Sequence, residues 1–92
     1  MMFFVVAYDI PCSKRRKKVS DLLSGYGQRV QFSVFECPLE LPKYQELKKR
    51  LRRRVHPTED RIRIYPVSAH TLPQVELWGG PPLTQPDRSH IF

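Results

Sequence analysis

Long apolar runs, paired cysteines and an acidic surplus are all missing from this chain, and each absence narrows what it can be. No stretch approaches the ~20 apolar residues that a membrane-spanning helix needs. The apolar start, residues 1–7, runs into Tyr8-Asp9 without a basic leader or a small-residue cleavage site, so the chain is expected to stay in the cytoplasm. The two cysteines, Cys12 and Cys37, form no C-x-x-C pair. That spacing gives no support to a zinc knuckle or a redox motif and predicts two reduced thiols. Phosphate-loop, dinucleotide-turn and nucleophile-elbow patterns are absent too, which removes the sequence case for nucleotide hydrolysis and acyl chemistry. His56, His70 and His90 are scattered at spacings that suggest loops rather than a metal cluster or a catalytic pair.

What the chain does have is positive charge. Sixteen Lys and Arg stand against nine Asp and Glu, a net of +7. Such an imbalance suits a polyanionic partner through counterion release, nucleic acid ahead of an anionic membrane. Hydrophobic residues make up 40% of the 92 positions, enough for one small core. A domain of this size buries only about 60–65% of its unfolded surface, so a second copy would add useful burial.

Residues 3–8 are a β-branched and aromatic run without alternation, the mark of a central strand buried on both faces. Ser13 is then a candidate N-cap, followed by Val19, Leu22, Leu23 and Tyr26 at helical spacing, with Gly25 and Gly27 at the exit. Residues 29–39 alternate as one long strand, broken by a bulge or followed by a short return near Glu36. Within it Val30, Phe32 and Val34 share one face and Gln31, Ser33 and Phe35 the other. Tyr44, Leu47, Leu51 and Val55 mark a second amphipathic helix that ends at His56-Pro57, and residues 60–67 alternate as a further strand. The order predicts an α+β, ferredoxin-like βαββαβ domain over residues 1–78, an antiparallel sheet with both helices on one face. The other face, expected to carry Phe35 and Tyr65, would be left wet in a monomer, which predicts a homodimer. Residues 75–78 read as a short strand added to the partner's edge, and residues 79–92 as a flexible proline-containing tail.

Eleven of the sixteen basic residues fall in two runs. The second, Lys48, Lys49, Arg50, Arg52, Arg53 and Arg54, fans across the arc left by Leu47, Leu51 and Val55, able to straddle phosphates or simply to complement the helix C-terminus. The first, Lys14, Arg15, Arg16, Lys17 and Lys18, opens a helix, where positive charge opposes the macrodipole unless an anion such as phosphate offsets it. Asp9 leaves a buried strand just before that run. A carboxylate there suits hydrated Mg²⁺ beside bound phosphate, or merely a turn, and spacing alone leaves both readings open.

The strand ending Tyr8-Asp9-Ile10, the basic helix near Arg16 and the segment R-V-Q-F-S-V-F-E at residues 29–36 together resemble the CRISPR-associated protein two family across residues 2–78. The resemblance implies a homodimer in adaptive immunity that binds DNA or RNA, bridges the CRISPR integrase subunit during spacer acquisition, and cuts single-stranded RNA or double-stranded DNA with Mg²⁺ or another divalent cation such as Mn²⁺. By position, Asp9 would be the catalytic and metal-binding acid, with Tyr8, Arg16, Arg29 and Phe35 contacting substrate or supporting the site. Lys18 stands where some relatives carry arginine, which keeps the charge but not the bidentate fork. The alternatives are a non-catalytic DNA scaffold between integrase subunits and a toxin-type ribonuclease of similar fold.

Overall fold

The computed structural model describes residues 1–86, so the last part of the expected tail, residues 87–92 with His90, lies outside the described residues. The elements are β1 (Met2–Asp9), α1 (Ser13–Ser24), β2 (Gln28–Gln31), β3 (Val34–Leu39), α2 (Leu41–Arg52) and β4 (Arg61–Val67), with a short 3-10 turn at Leu72–Gln74. The sheet order is β2-β3-β1-β4 with every neighbouring pair antiparallel, the ferredoxin-like arrangement expected from the sequence. β1 lies centrally between β3 and β4, which is why its sequence reads as a nearly continuous apolar run.

Phe4, Val6 and Tyr8 of β1 face the helices, together with Phe35, Cys37 and Leu39 of β3. Val19, Leu22 and Leu23 of α1 and Leu47 and Leu51 of α2 close the core from the other side. The Phe4 ring stacks on Tyr44 with centroids 3.8 Å apart, fixing α2 across the sheet centre. At the chain's entry into β2 a side chain on Gly27 would overlap the Glu36 carbonyl oxygen and the Cys37 sulfur, so the close approach of the two backbones requires glycine.

The structure differs from the sequence reading in several details. The long strand over residues 29–39 is a hairpin that reverses at Phe32-Ser33, with a register shift between Arg29 and Gln31. Val30, Phe32 and Val34 carry apolar alternation straight through the turn and hide it, although β2 adds no residue to the buried core. In consequence Phe35 points into the core at 1% exposure, and of the two expected aromatics only Tyr65 lies on the face opposite the helices. The N-cap of α1 is Cys12, not Ser13, and α2 ends at Arg52, leaving Val55 packed on the core from the following loop. Residues 75–78 form no strand within the chain; Val75, Leu77 and Trp78 are exposed, with no ladder partner among the described residues. Further on, the Thr84 backbone N–H and hydroxyl donate to a Glu36 carboxylate oxygen at 3.0 and 2.8 Å, so this part of the tail rests on the sheet face opposite the helices.

Candidate nucleic-acid interface

Antiparallel topology decides where the charged residues meet. β1 ends at Asp9, α1 starts there, the Phe32-Ser33 turn lies beside it, and α2 runs back to the same end before β4 begins. Asp9, both basic runs and the start of β4 therefore share one end of the sheet. Because Tyr8 takes the core face, Asp9 takes the opposite one, where it is exposed. Register sets Arg61 across from Asp9 and Arg63 across from Ala7, on that same face.

The backbone around Asp9 is pinned from two sides. Arg16 donates to the Ile10 carbonyl at 3.0 Å, holding the loop into α1, and Ile10 itself is buried. On the other flank the Tyr8 N–H donates to the Ser33 carbonyl at 3.1 Å. Arg29 fixes that turn by donating to the Phe32 carbonyl at 3.1 Å and to the Ser20 hydroxyl, while its guanidinium lies 5.4 Å from the centroid of Phe35. Phe35 in turn packs 6.3 Å from Tyr8. Tyr8, Arg16, Arg29 and Phe35 thus form the scaffold beneath Asp9.

The first basic run is partly spent within the chain. Arg15 holds Asp60 at 2.8 and 3.0 Å and Glu59 at 3.1 Å, and the Asp60 side chain is fully covered. Asp60 also accepts from the His56 N–H at 2.8 Å. The Arg15 guanidinium, with help from that N–H, holds the Asp60 carboxyl below the usual carboxylate range. So the anion that offsets the opposed helix dipole is, for Arg15, a carboxylate pair from the loop before β4 rather than a phosphate. Lys17 pairs with Asp21 at 2.9 Å, whereas Lys14 and Lys18 are exposed. At the helix entrance the Arg15 and Lys14 backbone N–H groups hold the Cys12 thiol below its ordinary value, while burial pushes Cys37 up to about 12.

The second run is freer. Arg50 donates to the Tyr26 hydroxyl at 2.8 Å, Arg54 caps the Arg50 carbonyl at 2.9 Å, and Lys48 lies 4.9 Å over the Tyr44 ring. Lys49, Arg52 and Arg53 are exposed without an acidic partner among the described residues. Between the helices opens a groove of about 650 Å³ lined by Lys18, Asp21, Leu22, Arg50, Arg53 and Arg54. One acid among four cations leaves it with an excess of positive charge.

The family model described as CRISPR associated protein Cas2 matches residues 2–75. The chain belongs to the Cas2 family. Among relatives of that family it is 59% identical over 91 residues to the CRISPR-associated endoribonuclease Cas2 3 of Synechocystis sp., covering 99% of both chains. The solved structure of Streptococcus pyogenes Cas2 superposes with a TM-score of 0.74 at 35% identity, covering 85% of this chain and 100% of that one. A chain of a partial Cas6-RT-Cas1–Cas2 complex matches with a TM-score of 0.71 at 28% identity, over 83% of this chain and 89% of that one.

Sequence reasoning within the Cas2 family singled out Asp9 and its four supports, and the structure brings these together. Arg15, expected among the contacts to the nucleic-acid backbone, instead has its guanidinium turned to Asp60 and Glu59. Four contributors were missed. Arg61 and Arg63 reach the Asp9 face only through the β1–β4 register, for which their alternation with Ile62 and Ile64 was the available signal. Ser20 receives Arg29 and carries no sequence signal. Phe32, taken for a mid-strand residue, crowns the turn beside Asp9.

Proposed function

We propose that this chain is the Cas2 subunit of CRISPR spacer acquisition, a cytoplasmic homodimer that binds nucleic acid, associates with the Cas1 integrase and cleaves phosphodiester bonds at Asp9. The observation that carries the reading is the meeting of Asp9, Arg61, Arg63 and both basic runs at one end of the sheet. Supporting it are the relatives, which bear the name endoribonuclease, and a solved neighbour that sits in a complex with Cas1. The dimer is supported by the sheet face opposite the helices, where Val5, Ala7, Val34 and Tyr65 lie, and by the exposed Val75, Leu77 and Trp78.

Asp9 fits a divalent cation in its donor chemistry. Its carboxylate is a hard oxygen ligand, exposed, and hydrogen-bonded to no side chain among the described residues. No group of three metal-ligating side chains occurs among those residues. Mg²⁺ is commonly held by one or two carboxylates with water and substrate phosphates, so Asp9, with its counterpart from a second copy, would hold it here. When bound, the ion would stabilise charge on a phosphoryl oxygen and lower the pKa of a bound water. The chain's own residues do the rest: Arg16 and Arg29 keep the Asp9 backbone in place, and Arg61 and Arg63 draw the phosphodiester toward it.

A second reading is favoured by the groove between the helices. Its cations lie on the helix layer, on the other side of the sheet from Asp9, and suit duplex phosphates held without cutting. Cleavage of labelled single-stranded RNA and duplex DNA by wild type and Asp9→Ala, each with Mg²⁺ and with EDTA, separates the two. The nuclease reading expects cleavage in the presence of both Asp9 and metal, at least a hundredfold above the variant. Salt-sensitive duplex binding with no Asp9-dependent cleavage would leave the scaffold alone.

A further inference from the structure

Phe32 sits where turns ordinarily place polar residues or glycine. It is 77% exposed at the tip of the β2–β3 hairpin, and its backbone is held on both sides. Arg29 binds its carbonyl at 3.1 Å, and the next carbonyl, of Ser33, accepts from Tyr8 at 3.1 Å. A large apolar ring is thus presented to solvent on a fixed mount, one residue from the strand end that carries Asp9. Cations surround that end: Lys14 opens α1, Arg61 lies opposite Asp9, and Arg29 stands at the base of the hairpin.

Fixed aromatic ring, flanking cations and an adjacent carboxylate are the parts of a single-strand nucleic-acid site. Stacking needs an open base face, which an unpaired nucleotide offers and an intact duplex conceals. Phosphate contacts from lysine and arginine do not make that distinction. We propose that Phe32 is a base-stacking platform that seats one unpaired nucleotide beside Asp9, so that this end of the molecule selects single-stranded nucleic acid. The inference rests on the nucleic-acid reading above and adds to it the residue that would tell a single strand from a duplex. The helix groove, lacking an exposed aromatic, has no such preference and takes duplex and single strand by charge.

Wild type, Phe32→Ala and Phe32→Tyr would be titrated with single-stranded RNA, single-stranded DNA and a duplex carrying the same number of phosphates, at two salt concentrations. An abasic single strand completes the set. The expected result is about a tenfold weaker affinity of Phe32→Ala for single strands, unchanged duplex affinity, and near wild-type binding by Phe32→Tyr. The abasic strand should bind wild type and Phe32→Ala alike, and the salt slope should not move because no phosphate contact is lost. A loss shared equally by duplex and single strand, or no loss at all while wild type binds with normal salt dependence, overturns the stacking role alone. Wild type that binds none of the polymers removes the nucleic-acid reading and this inference with it. Elution of Phe32→Ala as a smaller species would show that a second copy covers the ring, which also overturns the proposal. Comparison of the RNA and DNA arms tells which sugar the platform accepts.

Discussion

Three of the five cations that open α1 find acceptors inside the chain: Arg15 at Asp60 and Glu59, Arg16 at the Ile10 carbonyl, Lys17 at Asp21. At the end of α2 two of the six do so, Arg50 at the Tyr26 hydroxyl and Arg54 at the Arg50 carbonyl, and neither acceptor is a carboxylate. Lys49, Arg52 and Arg53 have no acidic partner among the described residues, and Arg53 lines the groove toward α1. Helix polarity accounts for the difference. Positive charge at an N-terminus is unfavourable and survives where carboxylates or carbonyls offset it, whereas at a C-terminus the dipole already favours it and leaves the side chains available. Two runs of similar composition therefore sit differently in the fold, the first fastening the Asp9 loop and the loop before β4, the second leaving much of its charge at the surface.

Neutralising the second run tests this division most severely. Lys49→Gln, Arg52→Gln and Arg53→Gln combined should weaken duplex binding roughly a hundredfold at moderate salt and reduce the salt slope by about 2 to 3, read by titration at several ionic strengths. Thermal stability should change by no more than a degree or two. A large fall in melting temperature with intact binding would reverse the assignment.

Arg15→Ala should do the converse. It strands the covered Asp60 carboxylate, so Tm is expected to drop by roughly 5 °C or more while binding changes little. The pH dependence sharpens the point. The folded Asp60 carboxyl lies below its ordinary value of 3.8 because Arg15 and the His56 N–H favour its ionised form. Its contribution to stability is thus fully present above the ordinary carboxylate range and is lost as pH falls through the depressed folded value. Acid unfolding followed by circular dichroism should show wild type and Arg15→Ala converging below that value and diverging at neutral pH. Parallel curves would place the stabilisation elsewhere.

The smallest effect belongs to Lys17. Its i,i+4 partner Asp21 is exposed, as is Lys17 itself, so Lys17→Ala should shift Tm by about a degree and no more. A larger shift would mean that the whole first run, rather than Arg15 and Arg16 alone, is structural.

Element order, the central strand and both helix faces could be read from the sequence because burial imposes its own period there: Val19, Leu22 and Leu23 on α1, Leu47 and Leu51 on α2. The place where β2 turns into β3 could not, since Phe32-Ser33 carries none of the glycine or asparagine that marks tight turns and the alternation of Val30, Phe32 and Val34 runs through it. Asp9 stood out because it ends a buried strand before a basic run. Its surroundings depend on pairings that sequence distance hides: Arg61 arrives by strand register, and Asp60 captures Arg15 from 45 residues away. Charge runs announce themselves locally, but which of their members are already paired is a property of the fold.

Trp78, 90% exposed and the sole tryptophan, has an optical consequence. Its indole emission should sit at the red, fully hydrated end of the spectrum in a lone chain and move to the blue when anything covers residues 75–78. Dilution of the unlabelled protein in a fluorimeter would then follow coverage of the C-terminal segment with no dye attached, since no other indole contributes to the signal.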